Sequence, residues 1–259
     1  MPVKRSKPQL AEATISEERG IRYLHLGTPW IQGAMRISKP TKLELDYIQR
    51  MMAWLLLREP HALPETRCLQ LGLGAAAITK FCHSVLKLPT TAVEINPTVI
   101  GVGRLWFHLP DDDERLTVLK ADAAKFVADD RNIATADALC VDLYDHDAAS
   151  PVLDDEDFYR ACWRVLDDGG IMTVNLFGRD ASFERSTSRI RAAFGEGRVA
   201  MLKPTTEGNT IVLAWKGFDL PDREVLAQRA ETLQTKWALP ARKWVKLLST
   251  FTPQAQPKS

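Results

Sequence analysis

Long hydrophobic runs are missing from this 259-residue chain. The longest apolar cluster, residues 51–57, is far too short to cross a bilayer, which takes about 20 residues. An excess of one charge is missing too. Lys and Arg number 34 against 33 Asp and Glu, which argues against a nucleic-acid or membrane-surface partner. Cysteine is scarce and scattered: Cys68, Cys82, Cys140 and Cys162 make no metal-ligand spacing, and each sits in an apolar segment. They read as buried free thiols of a reducing compartment. The opening residues carry Lys4, Arg5 and Lys7 with no apolar run behind them, so neither a signal peptide nor an anchor is expected and the expected location is cytoplasmic. Repeats and low-complexity stretches are absent as well. Apolar residues make up 45% of the chain, enough for the core of one large domain with small additions.

Against that background, residues 67–97 carry a pattern. Cys68, Leu69, Gln70 and Leu71 form a short run ending at Gly72, as a buried parallel strand does. Gly72 and Gly74 follow, then residues 75–88, with Ile78, Phe81, Val85 and Leu88 at helical spacing. Residues 91–93 read as a second strand with Glu94 at its carboxyl end. Strand, glycine turn, helix, strand, acid is the order of a nucleotide-binding βαβ unit. The glycines let the backbone approach the ligand, and the helix N-terminus offers free N–H groups. A carboxylate 22 residues after Gly72 can accept both ribose hydroxyls. The plainer alternative is a strand-turn-helix with a solvated Glu94.

Around this unit the chain alternates. Residues 1–15 read as a loose tail, and 19–37 as short β pieces with a turn at Gly27, Thr28 and Pro29. Pro40 and Thr41 introduce a helix through Tyr47 and Leu55. Strands are expected at 116–119, 138–141 and 171–176, separated by helices, with Asp154 capping the helix before the last of them. Residues 199–202 and 210–215 read as a strand pair with no helix between, which suggests an antiparallel strand inserted at the sheet edge, and 223–237 as a closing helix packed by Trp237 and Trp244. This predicts an α/β fold, a doubly wound and mainly parallel seven-stranded sheet. The expected division is 1–60 for the tail, β element and helix, 61–218 for the nucleoside-binding domain, and 219–259 for the closing helix and tail. Ligands of such sheets lie beyond the carboxyl ends of the strands, so Gly72, Glu94, Asp122 and Asp142 should converge. Gly72-x-Gly74-x-x-Ala77 also fits a dinucleotide fingerprint, but acids closing the third and fourth strands fit a mononucleoside better.

Leu-Gly-Leu-Gly (71–74), Val-Glu-Ile-Asn-Pro (93–97), Ala-Asp-Ala (121–123) and Val-Asp-Leu-Tyr-Asp (141–145) together resemble the spermidine synthase family, the aminopropyltransferases built on the class I methyltransferase fold. The resemblance implies that Gln32, Gly72, Gly74, Glu94, Asp122 and Ala123 hold an adenosine-type nucleoside. It further implies that Asp142 deprotonates the attacking amine, while Tyr47 and Asp145 position it. The implied donor is decarboxylated S-adenosylmethionine, or S-adenosylmethionine itself, without a metal. The acceptor is a small amine or other small molecule, and a homodimer is admissible. Methyl transfer and a non-catalytic nucleoside-binding role are the alternatives. The chain departs from the family where Ala75 replaces an aspartate, Ala76 a glycine, Gln49 a glutamate and His146 a proline. With the carboxylates at 75 and 49 missing, the expected acceptor is smaller or less charged than in typical spermidine synthases.

Overall fold

The computed structural model describes residues 10–143, 151–177 and 181–251. The chain begins with an antiparallel three-stranded sheet, β1 (Ala13–Glu18), β2 (Ile21–Leu26) and β3 (Gly33–Arg36). β1 starts inside the stretch that composition assigns to a tail. Two short helices follow, α1 (Asp46–Met51) and α2 (Trp54–Leu57). α1 begins later than Pro40 suggests, because residues 36–42 close successive turns: Lys39 N–H donates to Arg36 O and Lys42 N–H to Lys39 O.

The large sheet then winds outward from one strand. β4 (Cys68–Leu71) leads through α3 (Ala77–Lys80) to β5 (Thr90–Glu94), and α4 (Pro97–Trp106) to β6 (Leu116–Lys120). α5 (Ala123–Ala128) returns the chain to the other side of β4, where β7 (Ala136–Val141), α6 (Glu156–Val165) and β8 (Leu166–Phe177) continue the parallel order. After α7 (Ala181–Phe194) come β9 (Val199–Leu202) and β10 (Asn209–Trp215). The chain finishes with α8 (Arg223–Trp237), α9 (Ala241–Leu247) and β11 (Leu248–Thr250).

The sheet order is β11-β9-β10-β8-β7-β4-β5-β6, eight strands where the sequence predicts seven. The additional strand is β11, too short to carry a two-residue period. β10 does not lie at the edge but inserts antiparallel between β8 and β9. Both its faces are buried, as the near-continuous apolar run from Thr210 to Trp215 requires.

Other local differences have local causes. Ala76 takes a left-handed backbone (φ 56°), so helical geometry starts only at Ala77, and the helix widens into a π turn over Phe81–Val85. Asp155, not Asp154, caps α6 by accepting from Asp157 N–H, whereas Asp154 pairs with Arg185 and Ser186. All four cysteines are buried and none forms a disulfide. Beneath the glycine turn, fully buried Lys80 donates to Phe107 O at 2.6 Å, which ties α3 to the end of α4. Desolvation pushes this amine down to about 7. Among the described residues no helix is long and apolar enough to cross a membrane.

Candidate active site

The winding reverses at β4, since β5 and β6 lie on one side and β7 and β8 on the other. A cavity of about 740 Å³ opens at the carboxyl ends of these strands. Its walls come from the small N-terminal sheet (Trp30, Ile31, Gln32), the start of α1 (Asp46, Tyr47), and the strand ends carrying Gly72, Glu94, Asp122, Asp142 and Asn175. The turn between β9 and β10 adds Glu207 and Asn209.

One half of the cavity is made largely by backbone. Gly72 sits at φ 85°, and a Cβ there would stand 2.0 Å from the carbonyl oxygen of Asp142. Only glycine lets β4 and β7 end this close together. The loop is clamped by Glu94: Leu73 N–H donates to Oε2 at 2.9 Å and Asn96 N–H to Oε1 at 2.8 Å. Burial pushes the Glu94 carboxyl up, and these backbone donors oppose the rise. Each carboxylate oxygen keeps a lone pair for a ligand hydroxyl. Asp122 caps α5 by accepting from Lys125 N–H at 3.2 Å, which sets its side chain at the same rim beside Ala123. Gln32 follows β2 closely, its N–H donating to Leu24 O, and its carbonyl lies over Gly74.

The other half is made by side chains from distant segments. Asp142 Oδ1 accepts from Asn175 Nδ2 at 2.9 Å, and Oδ2 accepts from the Tyr47 hydroxyl at a longer 3.4 Å. Asn175 in turn accepts from Asn209 Nδ2 at 3.1 Å. Burial raises the Asp142 carboxyl to about 6, a rise restrained by the Asn175 and Tyr47 donors. The group is thus ionised at neutral pH, with a pKa close enough to exchange protons readily.

Of the residues singled out from sequence, Gln32, Tyr47, Gly72, Gly74, Glu94, Asp122, Ala123 and Asp142 all line this one cavity. Asp145 and His146 lie outside the described residues. The two positions flagged for missing carboxylates do not line it. Ala75 is buried against Gly33, and Gln49 turns back to donate to Leu43 O. The expectation of a smaller, less charged acceptor rested on those two positions, so the geometry removes its basis. Sequence reasoning missed Asn175, Asp46, Glu207 and Asn209. Asn175 left one signal, as an amide inside the apolar run of β8 at the edge where the acids converge. The other three left none.

Among the described residues, the cavity wall holds five carboxylates (Asp46, Glu94, Asp122, Asp142 and Glu207) and no Lys, Arg or His. None of the described residues form a cluster of three or more His, Cys, Asp or Glu suited to a metal.

Comparison with known proteins fits this geometry. The chain is 34% identical over 247 residues to a polyamine aminopropyltransferase of Chromobacterium violaceum, covering 95% of this chain and 92% of that one. It is 32% identical over 257 residues to the enzyme of the same name from Neisseria meningitidis, covering 97% and 95%. A probable spermidine synthase from Corynebacterium glutamicum superposes with a TM-score of 0.71 at 17% identity, covering 98% and 99%, and so shares the fold. Residues 78–213 match the model of the spermine/spermidine synthase domain. By domain match and by full-length similarity, the chain belongs to the spermine/spermidine synthase family.

Proposed function

We propose that this chain transfers an aminopropyl group from decarboxylated S-adenosylmethionine to a small amine. The observation that carries this reading is the cavity wall with five carboxylates and no basic side chain among the described residues. Both reactants are cations, and a donor that kept its carboxylate would bring a like charge into that wall, which is costly in a partly desolvated site. Glu94 takes the ribose hydroxyls, Asp122 and Ala123 the adenine edge, and Gln32, Gly72 and Gly74 frame the nucleoside. Tyr47 and Asp145 position the amine.

In the reaction, the nitrogen lone pair attacks the carbon next to the sulfonium. The N–C bond forms as the C–S bond breaks, and its electron pair stays on sulfur as the neutral thioether 5′-methylthioadenosine. An amine arrives protonated at neutral pH and must lose one proton to attack. Asp142, ionised and held by Asn175 and Tyr47, accepts that proton and passes it to solvent. The cavity contributes by holding the two cations in line.

Parallel calorimetric titration with decarboxylated and intact S-adenosylmethionine tests the reading, together with product analysis in the presence of amines. Tighter binding of the decarboxylated donor and release of 5′-methylthioadenosine are expected. Turnover of intact S-adenosylmethionine alone, with a methylated product, would replace this reading with methyl transfer.

A further inference from the structure

The cavity-wall carboxylates are not equivalent. Glu94 is committed to two backbone N–H groups, Asp122 to a helix cap, Asp142 to Asn175 and Tyr47, and Asp46 to Arg50 at 2.6 Å. Glu207 alone has no hydrogen bond or ion pair among the described residues. It is nonetheless held in a defined place. Thr205 N–H donates to Asn209 O at 2.8 Å, Gly208 N–H to Thr205 O at 3.1 Å, and Asn209 N–H to the buried Thr205 hydroxyl at 3.2 Å. Gly208, at φ 100°, lies so close to the Phe177 ring that a Cβ would contact it at 3.5 Å. The turn between β9 and β10 is therefore a tight, packed one with Glu207 at its tip. Asn209, two residues on, is joined through Asn175 to Asp142.

We propose that Glu207 receives the second ammonium of an α,ω-diamine acceptor, and so sets the preference of this site for diamines over monoamines. The inference rests on the aminopropyl-transfer reading and deepens it. An amine whose reacting end lies at Asp142 and whose methylene chain runs along the apolar wall of Phe177 and Val152 brings a distal cation toward the β9–β10 turn. There it meets the one cavity carboxylate with no other partner among the described residues. Neither Ala75 nor Gln49, where family carboxylates are missing, faces the cavity, so among the described residues this turn offers the carboxylate free to compensate a second cation.

The test compares kcat/KM for 1,4-diaminobutane and 1-aminobutane in wild type and in Glu207→Gln, with Glu207→Asp as the conservative variant. Glu207→Gln should lower the diamine-to-monoamine ratio about fivefold, the upper end for a solvent-exposed charge pair. The loss should appear mainly in KM, should be partly restored in Glu207→Asp, and should shrink as NaCl is raised. Calorimetric titration with 5′-methylthioadenosine supplies the second readout, and unchanged affinity in Glu207→Gln is expected. A ratio that stays at the wild-type value while wild type turns over amines overturns the role of Glu207 and leaves aminopropyl transfer standing. An equal loss for both amines, or a loss of nucleoside affinity, overturns it in favour of a structural turn residue. Failure of wild type to use any amine removes both readings.

Discussion

The two halves of the cavity are built by opposite means. In the half proposed to take the nucleoside, the proposed recognition groups also hold the fold. Glu94 clamps the glycine loop, Asp122 caps α5, and Gly72 exists so that two strands can end in contact. In the proposed acceptor half Tyr47, Asp142, Asn175 and Glu207 come from four segments far apart in the chain; the first three meet through side chains, and Glu207 lines the same cavity. Loss of Glu94 or Asp122 from the first half should therefore cost stability. Loss of Asp142 from the second should not, and there stability should even gain. Residues with a structural duty are held by folding itself, whereas a poised carboxylate is held against its own desolvation cost.

Asp142→Asn is the sharpest way to separate the two. Transfer should fall by about 10²–10⁴-fold, the range for a lost general base. The amide oxygen can still accept from Asn175, so affinity for 5′-methylthioadenosine should hold in calorimetry. Stability should move the other way. Because the folded pKa of about 6 lies above the ordinary 3.8, the ionised carboxylate destabilises the fold, fully above pH 6 and less as pH falls toward 3.8. Thermal melting of Asp142→Asn at pH 7.5 should therefore occur at or above the wild-type temperature. A variant that melts clearly lower would make Asp142 a structural residue and erase the contrast.

Glu94→Ala makes the opposite case. It orphans the Leu73 and Asn96 N–H groups and removes the proposed ribose acceptor, so nucleoside affinity should weaken by about 1–3 kcal/mol and the melting temperature should drop with it. Weakened binding with an unchanged melting temperature would show that recognition and fold are separable there too.

Asn175→Leu has the smallest expected effect and probes the acceptor half alone. Asn175 restrains the rise of the Asp142 carboxyl, so its loss should push that pKa further above 6. In wild type kcat/KM should decline below about pH 6 as Asp142 takes up its proton. In Asn175→Leu the same decline should begin at higher pH, shifted by about one unit, the size of one hydrogen bond. An acid limb that stays in place would detach the pH dependence from Asp142.

The amino-acid sequence alone marked out the strands and helices of an α/β sheet and the residues proposed for the nucleoside half. Gly72, Gly74 and Glu94 fall within 23 consecutive residues, and Asp122 and Asp142 each close an apolar strand, so period and punctuation reveal them without a third dimension. Tertiary structure alone decided the rest. β10 is read as an edge strand until its pairing with β8 shows it buried inside the sheet, because strand order is not encoded in strand pattern. Ala75 and Gln49 look like lost site carboxylates in the chain, yet one packs on Gly33 and the other satisfies a carbonyl. Asn175 and Glu207 look like ordinary polar residues, yet one holds the candidate base and the other tips a packed turn over the same cavity. The physical reason is one of distance. A site made by local backbone geometry is written in neighbouring residues, whereas one made by side chains from four separate segments exists only once long-range packing has brought those segments together.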